Sequence, residues 1–278
     1  MNMAEHEVLT DDIDEFLGGL VCSSDDAPVA VITGAARGLG RATALRMGSA
    51  GYRVVITARS SRSHRHPLFS GTIEDVRDDL ERRGYEAFAI AADLADPHAI
   101  DEIYSVTMDR FGRCDALINN AAYAPVEPFL ELSPSKWRAA ITVNLWAPAA
   151  LTRLFLPSMI ERGSGAVINV GSGAAVENIP ETAPYCVTKS ALERLTEVIA
   201  AEVGDRGVTV ACIRIAERIS TEADSMMRSY GIGANSNAPG VTSPEQFADG
   251  VAWLIGKPEM NGRTLTLDEL REFGAILH

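Results

Sequence analysis

Val29-Ala30-Val31-Ile32-Thr33-Gly34-Ala35-Ala36-Arg37-Gly38-Leu39-Gly40 decides how this chain folds. Its first five residues form a short apolar run of the kind buried in a parallel sheet. Glycines at 34, 38 and 40 make a turn, and a helical stretch follows to about Ala50, where Gly51 stops it. Arg53-Val54-Val55-Ile56-Thr57 then supplies a second strand, so the segment reads as a βαβ unit. Glycine in such a turn permits positive φ and lets the backbone approach a diphosphate, which the helix N-terminus stabilises. The spacing is GxxxGxG rather than the usual GxGxxG, but both flanking strands are in place, and that context points to dinucleotide binding.

Cofactor choice is made at the end of the second strand. A carboxylate there would bond the ribose 2′-OH of NAD, whereas an arginine accommodates the 2′-phosphate of NADP. Here the strand runs into Thr57-Ala58-Arg59 with no carboxylate, and Arg37 adds a second guanidinium from the glycine turn. Guanidinium groups are permanently charged and bidentate, which suits phosphate. NADP(H) is therefore preferred, with NAD(H) the alternative if Arg59 is splayed into solvent. The loop Ser60 to Pro67 is also basic, but Arg62, Arg65, His64 and His66 read better as a solvated surface loop.

Strands and helices go on alternating. A helix over about Thr72–Arg83 leads to strand Ala87–Ala91. Asp93 ends that strand as a turn residue or, at the sheet edge, as a partner for an adenine amino group. Asp96 and Pro97 open the next helix as N-cap and first residue. A fourth strand, Asp115–Ile118, runs into Asn119-Asn120-Ala121-Ala122, where small residues leave room for a cofactor. Ser133-Pro134-Ser135 starts a long helix through Asn144 to about Arg162, with Pro148 and Pro157 as irregularities. A mid-helix asparagine is ordinarily a surface or back-bonding residue. Strand Gly165–Val170 delivers Gly171-Ser172. Strand Val208–Ile213, a helix over Pro244–Ile255 and strand Arg263–Leu267 follow. This order predicts an α/β fold with one doubly wound parallel sheet of about seven strands and helices on both faces.

Between the fifth and sixth strands lies Tyr185-Cys186-Val187-Thr188-Lys189. Residues four apart share a helix face. An ammonium beside a phenol, whose free pKa is near 10, favours the phenolate. The spacing suits a proton-transferring tyrosine, although Tyr and Lys four apart also occur on ordinary helices.

Length and charge bound the rest. The 278 residues suffice for one large domain with a buried core. The net charge of −13 owes eight carboxylates to residues 1–28, which hold no Lys or Arg. That acidic extension reads either as a mobile tail or as a short helix over Val8–Leu20, and the domain proper spans 29–278. An acidic chain is a poor ligand for nucleic acid. No apolar run approaches the roughly 20 residues of a membrane span. The N-terminus lacks a signal-peptide pattern. Cys22, Cys114, Cys186 and Cys212 form no CxxC pair and read as reduced thiols, three of them buried, which places the protein in the cytoplasm without a metal site.

Taken together, Thr33–Gly40, Asn119–Ala122, Asn144, Ser172 and Tyr185–Lys189 resemble the short-chain dehydrogenase/reductase family, in that family's order and with its thirteen-residue interval from Ser172 to Tyr185. The resemblance spans about Pro28 to Asp268 and implies a single-domain Rossmann-type fold. It implies hydride transfer between NADP(H) and a carbonyl or secondary alcohol. Tyr185 would be the acid/base, and Lys189 would lower its pKa and bond the nicotinamide ribose. Ser172 would bond the substrate oxygen, and Asn144 would hold a water that refills the proton. The implied cofactor contacts are Gly34, Ala36, Arg37, Gly38, Leu39, Gly40, Arg59, Asp93, Leu94, Asn120, Ala121, Ala122, Tyr185, Lys189, Ile219 and Thr221. A homodimer or homotetramer built on helices 135–162 and 186–204 is also implied. Two departures stand out. Ala122 replaces a glycine, and Ala216-Glu217 stands where Pro-Gly is usual, so the loop there is expected to change path. Glu222 to about Val241 would be the substrate lid, or else a surface loop; its methionines and glycines suit a moderately apolar ligand. Glu217 gives some weight to a catalytically silent nucleotide-binding or scaffold protein. A hydrolase is excluded, because His6, His64, His66, His98 and His278 are scattered and none is placed by a motif beside Ser172.

Overall fold

Seven parallel strands run in the order β3-β2-β1-β4-β5-β6-β7 in the computed structural model, which describes residues 26–229 and 242–277. The strands are β1 Val29–Thr33, β2 Arg53–Ala58, β3 Ala87–Ala91, β4 Ala116–Asn119, β5 Gly165–Ser172, β6 Val208–Ile215 and β7 Thr264–Thr266. The chain leaves β1 toward β2 and β3 on one side, then crosses back so that β4 pairs with β1 on the other. The crevice at that switch point, outside the C-terminal strand ends, is where such sheets bind ligands. Near-continuous apolar strands follow from burial on both faces; all five residues of β1 are buried.

One face is covered by α1 (Gly38–Ser49), α2 (Ile73–Arg82), α8 (Pro244–Ile255) and α9 (Leu267–Glu272), through Met47, Leu80, Phe247 and Leu270. The other is covered by α3 (Pro97–Phe111), α5 (Ala147–Arg162) and α6 (Ala183–Val203), through Ile103, Phe155 and Val203. Helix starts follow local chemistry. Thr72 and Ser243 close capping boxes, and Asp96 accepts from the His98 N–H at 3.0 Å with Pro97 behind it.

Several features differ from the sequence expectation. The helix expected over 135–162 is α4 (Pro134–Ile141) joined to α5 by a π-helical turn, Thr142–Trp146, that contains Asn144. Pro148 lies just after that π turn inside a continuous helical run, so it remains an irregularity whose missing N–H takes one bond from the helix. The start of the expected lid is a helix, α7 (Glu222–Ser229), while 230–241 lies outside the described residues, as does the extension up to residue 25. The last strand is shorter than expected because Thr266 caps α9. The 29-residue helical run Pro134–Arg162, with mean hydropathy 1.3 in its most apolar window, has a membrane span's length and composition, which run length alone did not reveal. Leu151, Phe155 and Met159 within it are fully buried on the sheet, so core packing accounts for much of that apolarity.

Candidate functional site: a dinucleotide crevice beside a Tyr–Lys helix

The glycine turn after β1 has room for nothing larger than hydrogen at two positions. Gly34 has φ +68°, and a Cβ there would lie 2.8 Å from Ala121 Cα. At Gly40 a Cβ would lie 2.5 Å from the Gly34 carbonyl oxygen and 2.6 Å from Asn120 Nδ2. Asn120, expected to contact cofactor, points its amide into this turn and donates to the carbonyls of Thr33 at 2.8 Å and Gly34 at 3.2 Å. Thr33 Oγ1 in return accepts from the N–H groups of Asn120 and Ala121. β4 thus braces the turn that β1 delivers, at the N-terminus of α1. Ala122 is exposed, so its extra methyl meets no packed neighbour. Leu94 and Ile219 are core residues, leaving mainly their backbone for a ligand. Ala36 is buried in the turn and Leu39 packs against the core. Thr221 lies against Gly38, 3.5 Å from where a Cβ would sit, and caps α7 by accepting the Asp224 N–H.

The basic side of the crevice brings Arg37 and Arg59 near each other. Arg59 is half exposed and 4.0 Å from Asp93. Arg37 is partly buried, and that burial lowers its pKa; Glu222 nearby opposes the shift and Arg59 adds to it. Arg37 Nη1 is buried with no hydrogen-bond partner among the described residues, and Ser60 Oγ, just past Arg59, is in the same state. Unpaired buried polar groups cost about 1–3 kcal/mol each, so these two favour an oxygen-rich ligand. Ser60 was missed by sequence reasoning, because nothing in a lone serine after a strand signals burial. A hydrogen-only cradle and unpartnered donors beside two guanidiniums fit a phosphorylated dinucleotide.

Across the crevice, α6 carries Tyr185 and Lys189. Lys189 is 2 % exposed; its Nζ donates to the Val170 carbonyl at 2.6 Å and lies 5.5 Å from the centre of the Tyr185 ring. Val170 is two residues before Ser172 on β5, so the lysine ties the helix to the strand that delivers the serine. Ser172 Oγ accepts from the Ala174 N–H at 3.2 Å, which orients it and leaves its O–H to donate elsewhere. Asn144 is buried, not on the surface. Its Oδ1 accepts the Tyr123 N–H at 2.7 Å, while Nδ2 donates to the Tyr123 carbonyl at 2.8 Å and to Thr188 Oγ1 at 3.0 Å. Both amide protons are therefore engaged and one Oδ1 lone pair is left. A π turn commonly marks a functional position, and here the side chain it carries reaches the neighbour of Lys189.

Glu217 has a specific role in the loop. Its carboxylate accepts from Thr242 Oγ1 and from Arg271 Nη1 at 2.9 Å. Burial raises its pKa, but the Arg271 and Thr242 bonds outweigh that and hold it below the ordinary value. Ile219 forms a parallel bridge with Thr242, and the Thr242 N–H reaches the Arg218 carbonyl at 3.0 Å. The path where Pro-Gly was expected is thus set by an ion pair to α9. Of the three described cysteines, Cys114 and Cys212 are buried and Cys186 is partly exposed. Burial pushes the Cys212 thiol up to about 12.

Comparison with known proteins agrees with this geometry. Residues 28–230 match the family model described as short chain dehydrogenase. A 3-oxoacyl-[acyl-carrier-protein] reductase of Synechocystis sp. is 29% identical over 245 residues, 87% of this chain and 96% of that protein. A metagenomic short-chain oxidoreductase solved in complex with NADP superposes with a TM-score of 0.71 at 31% identity, covering 88% of this chain and 98% of that one. An actinorhodin polyketide ketoreductase variant solved with NADPH gives a TM-score of 0.78 at 25% identity, over 88% and 97% of the two chains. The chain belongs to the short-chain dehydrogenase family of oxidoreductases.

Proposed function

We propose that this protein is an NADP(H)-dependent oxidoreductase acting on a carbonyl or secondary alcohol, with Tyr185 as acid/base. The observation that carries the reading is the buried Lys189, set beside the Tyr185 ring and bonded to the strand that ends in Ser172. When bound, the nicotinamide supplies or accepts the hydride. The chain's own residues manage the proton and the oxygen. Lys189 holds its ammonium beside the Tyr185 ring, and the Tyr185 hydroxyl takes or gives the substrate's proton. Ser172 donates its O–H to the substrate oxygen as charge develops there. Asn144 braces Thr188 and so fixes the helix turn that presents Lys189. Proton refilling through a water near Asn144 would use its remaining Oδ1 lone pair.

The NADP preference is supported by Arg37, Arg59 and the unpartnered Arg37 Nη1 and Ser60 Oγ. The solved relatives named above carry NADP or NADPH, which agrees with it. The silent-scaffold alternative loses its main prop, because Glu217 is accounted for by its Arg271 pair. The domain is read as 29–278 with an acidic extension before it, in a reduced, cytoplasmic setting and as a homo-oligomer. Its substrate is a small molecule; the described start of the expected lid offers Met226 and no further clue to its identity.

The deciding experiment compares kcat/KM for NADPH and NADH with a panel of ketones and aldehydes. A clear NADPH preference with turnover is expected. Equal use of both cofactors would sink the NADP assignment, and no turnover on any carbonyl would sink the enzyme assignment.

A further inference from the structure

Between Ser60 and Gly71 the chain makes a loop without regular structure that the sequence reading left as solvated surface. The structure anchors it at several points. The Ile73 N–H donates to the Ser60 carbonyl at 2.9 Å, Ser61 and His64 bond each other's backbone, and Arg62 pairs with Asp75 and Asp78 on α2. Held this way, the loop sets two rings beside Arg37. The Phe69 ring centre is 4.1 Å from the guanidinium carbon, and the His66 ring centre is 4.7 Å from that of Phe69.

Resting on the NADP reading above, we propose that this loop is a specificity-determining wall of the 2′-phosphate subsite. Phe69 fixes the Arg37 guanidinium, and His66 adds an N–H donor to the same phosphate. Three observations support it. A guanidinium stacked on a ring is restrained without losing its in-plane donors, and the buried Arg37 Nη1 is one donor still without a partner. His66 Nδ1 accepts the Leu68 N–H at 3.1 Å, which places the ring proton on Nε2. Burial, together with Arg37 and Arg59, holds the imidazole pKa below its ordinary value.

The test uses the full-length protein and two fragments that differ only in the phosphate in question, 2′,5′-ADP and 5′-AMP, with affinities measured by calorimetry. The variants are Phe69→Ala, Phe69→Leu and His66→Phe, the last of which keeps a ring and removes the donor. Each is expected to weaken 2′,5′-ADP about three- to tenfold, the scale of one cation–π contact or hydrogen bond. Affinity for 5′-AMP should change less than about twofold, which also shows that the variants fold. Unchanged or tighter 2′,5′-ADP binding in the variants would overturn the proposal, the latter by showing that Phe69 obstructs the pocket. Parallel losses for both fragments would also overturn it, because the loop would then serve adenosine in general. A wild type that does not distinguish the two fragments would fail earlier, at the NADP reading itself.

Discussion

Tyr185 is half-buried, and the cation nearest its ring, Lys189 Nζ, is held by the Val170 carbonyl. Replacing Tyr185 by Phe removes the transferable proton without changing that anchor. Turnover should fall about 10²–10⁴-fold, the usual share of a positioned acid/base, while NADPH affinity stays within about twofold. Loss of cofactor binding in step with turnover would instead make the tyrosine a structural residue. At this scale the sequence was readable where spacing carries chemistry: the four-residue step from Tyr185 to Lys189, the glycines at 34 and 40, and Arg37 with Arg59. It was silent where the partner is remote in the chain. That Asn120 braces the glycine turn, that Asn144 faces Tyr123 and Thr188, and that Ser60 is buried all depend on which strand lies beside which. The buried ladder from Asn119 to Asn169 to Thr196 was invisible for the same reason.

Elements were legible where periodicity and caps coincide, as at β3 and α8, whose bounds match the expectation. They were not legible where hydrogen-bond register changes inside a helix. Nothing in Thr142–Trp146 distinguishes a π turn from α-helix by composition. What holds the segment after β6 was not legible, because Glu217's partner Arg271 lies 54 residues on in α9. That pair should show in stability. Glu217 is held below its ordinary pKa, so its contribution is present above the unfolded value near 4.5 and is lost as pH falls through the lower folded value. Glu217→Gln should therefore cost about 1–3 kcal/mol at pH 7. Wild type and variant should converge as the buffer is taken below about pH 4. Melting curves across that range check it, and a difference independent of pH would rule out the ion pair as the cause.

For the molecule as a whole, an apolar face runs along the end of α4, the π turn and α6. Ile141, Trp146, Val187 and Val198 are exposed there, Trp146 to 59%. A contiguous apolar face on a helix pair favours association, in line with the proposed homo-oligomer. Trp146→Asp should shift the mass measured by light scattering toward the monomer while the fold survives. A wild type that is already monomeric at working concentration would remove the inference. The single parallel sheet of about seven strands, covered on both faces, was the most legible feature at this scale, since strands alternating with helices leave few architectures open.

The pairing of β4 with β1 has a consequence for synthesis on the ribosome. The glycine turn is complete by residue 40, but the amide that clamps its carbonyls belongs to Asn120, and the two are separated by β2, β3, β4 and three helices. A nascent chain that has emerged only as far as α3 carries the nucleotide motif without the cradle, so cofactor cannot reward the early half of the fold. Truncation before β4 should yield a fragment with no measurable affinity for 5′-AMP. Binding by such a fragment would mean that the turn shapes itself without its clamp.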